Sequence, residues 1–281
     1  MAPATTASRP AREHWKIEEL PWHLLDPSKV DVDVLKVAKA ASMVEYNAED
    51  YAAYLCSVFH DDPEFQETAH AWATEEVQHG KVLGLWCERV DPTFNHEKAF
   101  KVYRQKIVIN TQAPRSIRGS RAGEMVARCM VETGTSSYYS ALGDATEEPV
   151  LKEICAKIAA DEFRHYKTFY DNLRHYLGKD KLNTWQRLKV ALSRIAESED
   201  DELAFAYYAA NDGVGPYDRK LYNREYARRA YSYYQPKHIE RGLAMVFKAS
   251  GLKPHTPVFN MATKTAVWFI SQRAKQKRAA A

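Results

Sequence analysis

The chain has 281 residues, 45% of them apolar, enough for one large or two modest domains with a buried core, and this excludes an intrinsically disordered protein. Forty basic against 37 acidic residues leave a net charge of +3, too little over this length for a general nucleic-acid binder, so no nucleic-acid partner is expected. The 11 glycines and 12 prolines make up about 8% of the chain, below the ~12% of average usage, which points to long helices.

The four cysteines, Cys56, Cys87, Cys129 and Cys155, include no C-x-x-C pair. That speaks against a rubredoxin-like site or a disulfide framework and suits a reducing cytoplasm. No apolar run reaches the ~18 residues a membrane-spanning helix needs. Residues 1–12 lack the apolar core of a secretory signal. Arg9 and Arg12 without acidic neighbours give them a faint transit-peptide look, and a polar arm is the simpler reading.

Taken in chain order, an N-terminal arm over 1–30 precedes a first helix, predicted as one unit over 32–59 from its apolar periodicity. Asp62 as N-cap and Pro63 at the first helical position start a second helix, over 63–90. The connection 91–120 contains an apolar stretch around 102–108 before Pro114, read as a short crossover helix. A third helix over 122–142 ends at the sequence GDATEEP, and a fourth follows over 149–177.

The two hairpins repeat one another. Thirteen residues after Pro63 and after Pro149 stand Glu76 and Glu162, each followed three residues later by a histidine, His79 and His165. Upstream, residues 45–55 align on 132–142, pairing Glu45 with Glu132, Tyr51 with Tyr138 and Leu55 with Leu142. Trp72, Glu76, His79, Leu83, Trp86 and Val90 share one helix face, as do Ile158, Glu162, His165 and Phe169, so the polar pairs point into an apolar interior. Four carboxylates converging there would repel one another, and two divalent cations resolve the conflict while leaving the imidazoles neutral.

A lone Glu from each of two helices with Glu-x-x-His from the other two is the ligand pattern of di-iron and di-manganese carboxylate bundles. A third E-x-x-H, Glu67 with His70, falls on the opposite side of its helix and reads as a solvated decoy. Glu49 shares a face with Glu45, and the repeat register selects Glu45.

The segments WATEEVQHG (72–80) and AADEFRH (159–165) resemble the two metal-binding motifs of the soluble acyl-carrier-protein desaturases, within the ferritin-like superfamily, and the likeness extends over 15–178. It implies an all-α fold, a ferritin-like four-helix bundle over 31–180 with a crossover connection, and further helices over 181–281 packing on it. It implies two iron ions, cycling between Fe2+ and Fe3+ with manganese as a substitute, on Glu45, Glu76, His79, Glu132, Glu162 and His165. Thr135 matches a family threonine that assists oxygen activation, its alternative being a helix threonine bonded to its own backbone. Asp161 matches an acid that orients a ligand histidine, with Glu75 in the same role in the other half. Trp15 matches a tryptophan on the electron-entry side, or else simply packs the arm.

The expected activity is oxygen-dependent desaturation of an acyl chain on a carrier protein, or hydroxylation of a lipid or other small hydrophobic substrate. Electrons then come from a ferredoxin-like donor, because no flavin or iron-sulfur motif is present. Iron storage and peroxide scavenging are weaker readings, since the chain adds about 100 residues beyond the bundle and lacks rubredoxin cysteines, and a radical-generating subunit, which 17 tyrosines would allow, is weaker because the motifs of the resembled family favour oxygenation. The chain departs from the family in its shorter length, its tighter Glu45 to Glu76 spacing and the poor match after Lys179. Residues 204–210 and 231–236 are rich in aromatics, suited to covering the bundle, shaping a substrate entrance and packing a homodimer. Residues 265–281 pass from apolar to basic, a composition able to meet an acidic carrier or an anionic membrane surface, or to stay solvated as a tail.

Overall fold

The computed structural model describes residues 14–198 and 201–275. The transit-peptide look of 1–12 and the basic end at 276–281 therefore lie outside the described residues. Among these residues all regular structure is helical. Three short 3₁₀ turns lead into α1 (Val32–Tyr46), α2 (Ala48–Val58), α3 (Pro63–Val90), α4 (His96–Tyr103), α5 (Arg121–Ala145) and α6 (Pro149–Asp180). Then follow α7 (Thr184–Ser198), α8 (Asp201–Asn211), α9 (Arg219–Ser232), α10 (Pro236–Ser250) and α11 (Pro257–Ala274). No helix among the described residues is long and apolar enough to cross a membrane.

The helix starts follow their caps. Asp62 accepts from the Phe65 amide with Pro63 at the first helical position of α3, and the buried Glu148 accepts from the Val150 and Leu151 amides ahead of Pro149 in α6. Both devices satisfy amide donors that have no partner within the helix.

Boundaries differ from the sequence reading, the fourth helix running on past 177 to Asp180 and three others more tellingly. The first helix is not continuous over 32–59 but breaks at Asn47, which sits at φ −84°, ψ 7° with its N–H turned to the Val44 carbonyl. Its side-chain oxygen accepts from Arg104 at 3.2 Å, a tertiary contact that apolar periodicity does not register. The crossover helix lies earlier than 102–108, because Asn95 caps it by accepting from the Lys98 amide. The third helix runs past Leu142 to Ala145, because Gly143 does not end it. A Cβ at Gly143 would lie 3.0 Å from Cys155 Cβ, so this glycine serves the close approach of α5 and α6.

α1 and α2 pack against α3, α5 packs along α6, and α3 meets α6, so that the two hairpins share an interior. That interior is layered. One apolar cluster gathers Leu55, Phe59, Phe65, Met125, Phe169 and Tyr176, and a second gathers Val37, Leu83, Trp86, Leu142, Ile154 and Ile158. The buried carboxylates and imidazoles fall between the two clusters. The later helices close one side, α7 and α10 lying against α5, α8 and α9 against α1, and α11 against α9 and α10.

Candidate metal centre

All six residues expected as ligands converge and are buried: Glu45 on α1, Glu76 and His79 on α3, Glu132 on α5, Glu162 and His165 on α6. They form two groups, Glu45, Glu76, His79 and Glu162, and Glu76, Glu132, Glu162 and His165, each with its donor atoms within 4.8 Å of one another. Glu76 and Glu162 belong to both, so the two groups adjoin and share two carboxylates. Glu49, by contrast, is exposed beyond the break at Asn47, and Glu67 and His70 are exposed on the outer face of α3.

The imidazoles are oriented from behind. His79 Nε2 lies 3.1 Å from Asp161 Oδ2, and His165 Nε2 lies 2.7 Å from Glu75 Oε2. A carboxylate only accepts, so each Nε2 carries the proton and each Nδ1 turns a lone pair inward. Those Nδ1 atoms approach only carboxylate oxygens, His79 Nδ1 at 3.3 Å from Glu162 Oε1 and His165 Nδ1 at 3.0 Å from Glu76 Oε1. Neither Nδ1 has a hydrogen-bond partner, nor do Glu76 Oε1, Glu162 Oε1 or either oxygen of Glu132, although all are buried.

Buried polar atoms left unbonded cost free energy, and here they are aimed at one another with lone pairs only. This donor set fits metal ions, because a cation satisfies every orphaned atom at once. Mixed carboxylate oxygen and imidazole nitrogen suits first-row divalent metals.

Left to themselves, the groups share protons. Burial, and after it the charge of Glu76, pushes the Glu45 carboxyl well above the usual carboxylate range. Burial and the charge of Glu162 do the same to Glu132. Burial disfavours the imidazolium of His79, but hydrogen bonds to Asp161 and Glu162 outweigh it and raise its pKa well above the ordinary value. For His165, burial is likewise outweighed by Glu162 and Glu75.

The Thr135 hydroxyl donates to Glu162 Oε2 at 2.7 Å. The alternative reading also holds in part, since the carbonyls of Val131 and Glu132 lie 3.2 and 3.3 Å away. Trp15 does more than pack the arm: its Nε1–H donates to Asp161 Oδ2 at 2.8 Å and its ring stacks on His79, centroids 6.2 Å apart and 6° from parallel.

Three neighbours escaped the sequence reading. Tyr139 donates to Glu45 Oε1 at 2.5 Å. It lies seven residues after Glu132 and hence on the same helix face, a signal that periodicity carried. Arg164 donates to Glu75 at 2.7 Å and also to Asp161, tying together the acids behind both histidines. His14 Nε2 lies 2.8 Å from Asp161 Oδ2, and its place in an irregular arm gave no signal.

A cavity of about 350 Å³ opens beside the centre between α1, α5 and the later helices. Glu45, Thr135 and Tyr139 line it at the centre, with Met130, Leu203, Ile239 and Leu243 among its apolar walls. In comparisons with known proteins, no family model matches the chain and no curated protein matches it.

Proposed function

We propose that this chain is an oxygen-dependent di-iron oxidoreductase of ferritin-like architecture, which desaturates an acyl chain at an unactivated C–H bond. The observation that carries the reading is the pair of adjoining four-donor groups sharing Glu76 and Glu162 at the wall of an apolar cavity. Glu45, Glu76, His79, Glu132, Glu162 and His165 would hold two irons, with manganese as a substitute. Bound there, the metals supply what side chains lack, the reductive activation of dioxygen and removal of hydrogen from an alkyl carbon.

The chain's own residues supply the rest. Asp161 and Glu75, tied by Arg164, hold the imidazoles in the Nε2–H tautomer. Thr135 keeps a hydroxyl proton at the cavity wall beside Glu162. The apolar lining excludes water and aligns an alkyl chain past Glu45. Trp15, stacked on His79, gives an inward path for electrons from a ferredoxin-like donor.

A carrier protein as the bearer of the acyl chain comes from the sequence resemblance, and exposed Trp185, Leu192 and Trp268 offer apolar surface for such partners or for a homodimer. A free lipid, desaturated or hydroxylated, is a second reading, favoured by a guanidinium, that of Arg194, at the edge of the same cavity.

The test is incubation of the iron-loaded chain with reduced ferredoxin, oxygen and acyl substrates, both carrier-bound and free, read by mass spectrometry. Loss of two hydrogens supports desaturation and gain of one oxygen supports hydroxylation. Unchanged substrates throughout, with iron bound, would refute the reading.

A further inference from the structure

We infer that the cavity beside the metal centre takes its substrate as a free carboxylate, a long-chain fatty acid whose head group is held by Arg194 at the α7 end while its chain runs past Thr135 and Glu45. The inference rests on the proposed use of this cavity and names the substrate class it admits.

Three charged side chains line the α7 and α8 end of the cavity: Arg194, Glu197 and Glu202. Both carboxylates are committed. Glu197 accepts a two-pronged pair from Arg118 at 2.7 and 2.6 Å and a third bond from Ser193. Glu202 accepts from the hydroxyls of Tyr51 and Tyr103 at 2.8 and 2.7 Å. The Arg194 guanidinium, among the described residues, makes no hydrogen bond or ion pair, although it is largely withdrawn from solvent.

Its situation is made worse by Arg128, a second buried guanidinium, which lies over the Tyr51 and Trp72 rings and comes no nearer to Glu124 than 3.9 Å. Burial and the charge of Arg128 work against the charged form of Arg194, and the nearby charge of Glu202 offsets them only in part. A guanidinium with unused donors at a cavity wall, backed by another cation, is a receptor for a carboxylate, which it binds through two parallel N–H bonds.

The position fits a head group at an entrance. Ile195, the next residue, also lines the cavity and is 42% exposed, so this end reaches solvent, whereas Glu45 at the centre is buried. Arg194, Thr135 and Glu45 line one cavity, so a carboxylate held by Arg194 lays its chain toward Thr135 and Glu45. A thioester in the same place brings no charge to Arg194, so the free acid, rather than the carrier-bound chain that the sequence resemblance implies, is the substrate class this end selects.

Calorimetric titration of the metal-free full chain with palmitate and with hexadecan-1-ol, which shares the chain but lacks the charge, tests this. Palmitate should bind at least tenfold more tightly than the alcohol. Arg194→Leu should abolish that preference and leave alcohol binding unchanged, while Arg194→Lys should keep part of it. Equal binding of acid and alcohol by the unmodified chain overturns the inference without any variant having to fold, as does a preference that survives Arg194→Leu. No metal is present, so a negative result here leaves the di-iron reading standing. Failure to load two irons removes that reading without touching carboxylate binding.

Discussion

Gly80 follows His79 in α3, and there α1 comes so close that a Cβ would lie 2.5 Å from the Tyr46 nitrogen and 2.7 Å from its Cα. Gly80→Ala therefore requires α1 to retreat by about 0.9 Å to reach the 3.4 Å of ordinary contact, since backbone cannot rotate aside as a side chain can. Overpacking of this kind costs ~1–3 kcal/mol, and the better helix propensity of alanine returns about 1. The net loss is about 1 kcal/mol, a fall of roughly 2–4 °C in Tm for a chain of this size.

Metal binding should suffer far more than stability. Glu45 precedes Tyr46, and a displacement near 0.9 Å exceeds the roughly 0.5 Å within which such a constellation must be held. Anaerobic Fe2+ titration should show the group containing Glu45 weakened at least tenfold in the variant. Gly134→Ala is the control, because it lies in α5 two residues from Glu132 and a Cβ there meets nothing within 4 Å. It should retain both metals and melt no lower than the parent. A Gly80→Ala protein that binds two metals with unchanged affinity would refute the reasoning.

Other outcomes follow from the same geometry. Glu45, Glu132, His79 and His165 are all pushed toward their protonated forms, so metal must displace protons. Affinity should rise with pH, and calorimetry in two buffers of different ionisation heat should show more than one proton released per metal pair; none would contradict it. Tyr139→Phe removes the 2.5 Å bond to Glu45 and should lower metal affinity by about 10-fold, as loss of a group orienting a ligand commonly does. Fluorescence-monitored competition with a chelator reads this out. Asp62→Ala removes the cap of α3 and should cost about 1 kcal/mol by denaturant melting, with metal binding unchanged.

The duplicated register, Glu76 with His79 and Glu162 with His165, was fully legible in the sequence, because 3.6-residue periodicity alone puts those donors on the apolar faces of two helices. The choice of Glu45 over Glu49 was legible only through the repeat, and the break at Asn47 turns it into a difference of burial, Glu45 inside and Glu49 exposed. Asp161 and Glu75 were assigned from the resemblance, and their bonds to the opposite helices' histidines cross between α3 and α6.

What local pattern determined, then, was the helical class and the inward-facing donors, since both depend on residues within a few turns of one another. Only the tertiary structure decided what surrounds them. Trp15 and His14 on Asp161 and Tyr139 on Glu45 are pairings between residues 94 to 147 positions apart, where no spacing rule applies, and Glu197 and Glu202 beside Arg194 are committed to similarly distant partners, Arg118 and Tyr103 among them. Such contacts arise from how the helices pack, and the cavity between α5 and the later helices is likewise a property of packing rather than of any one helix.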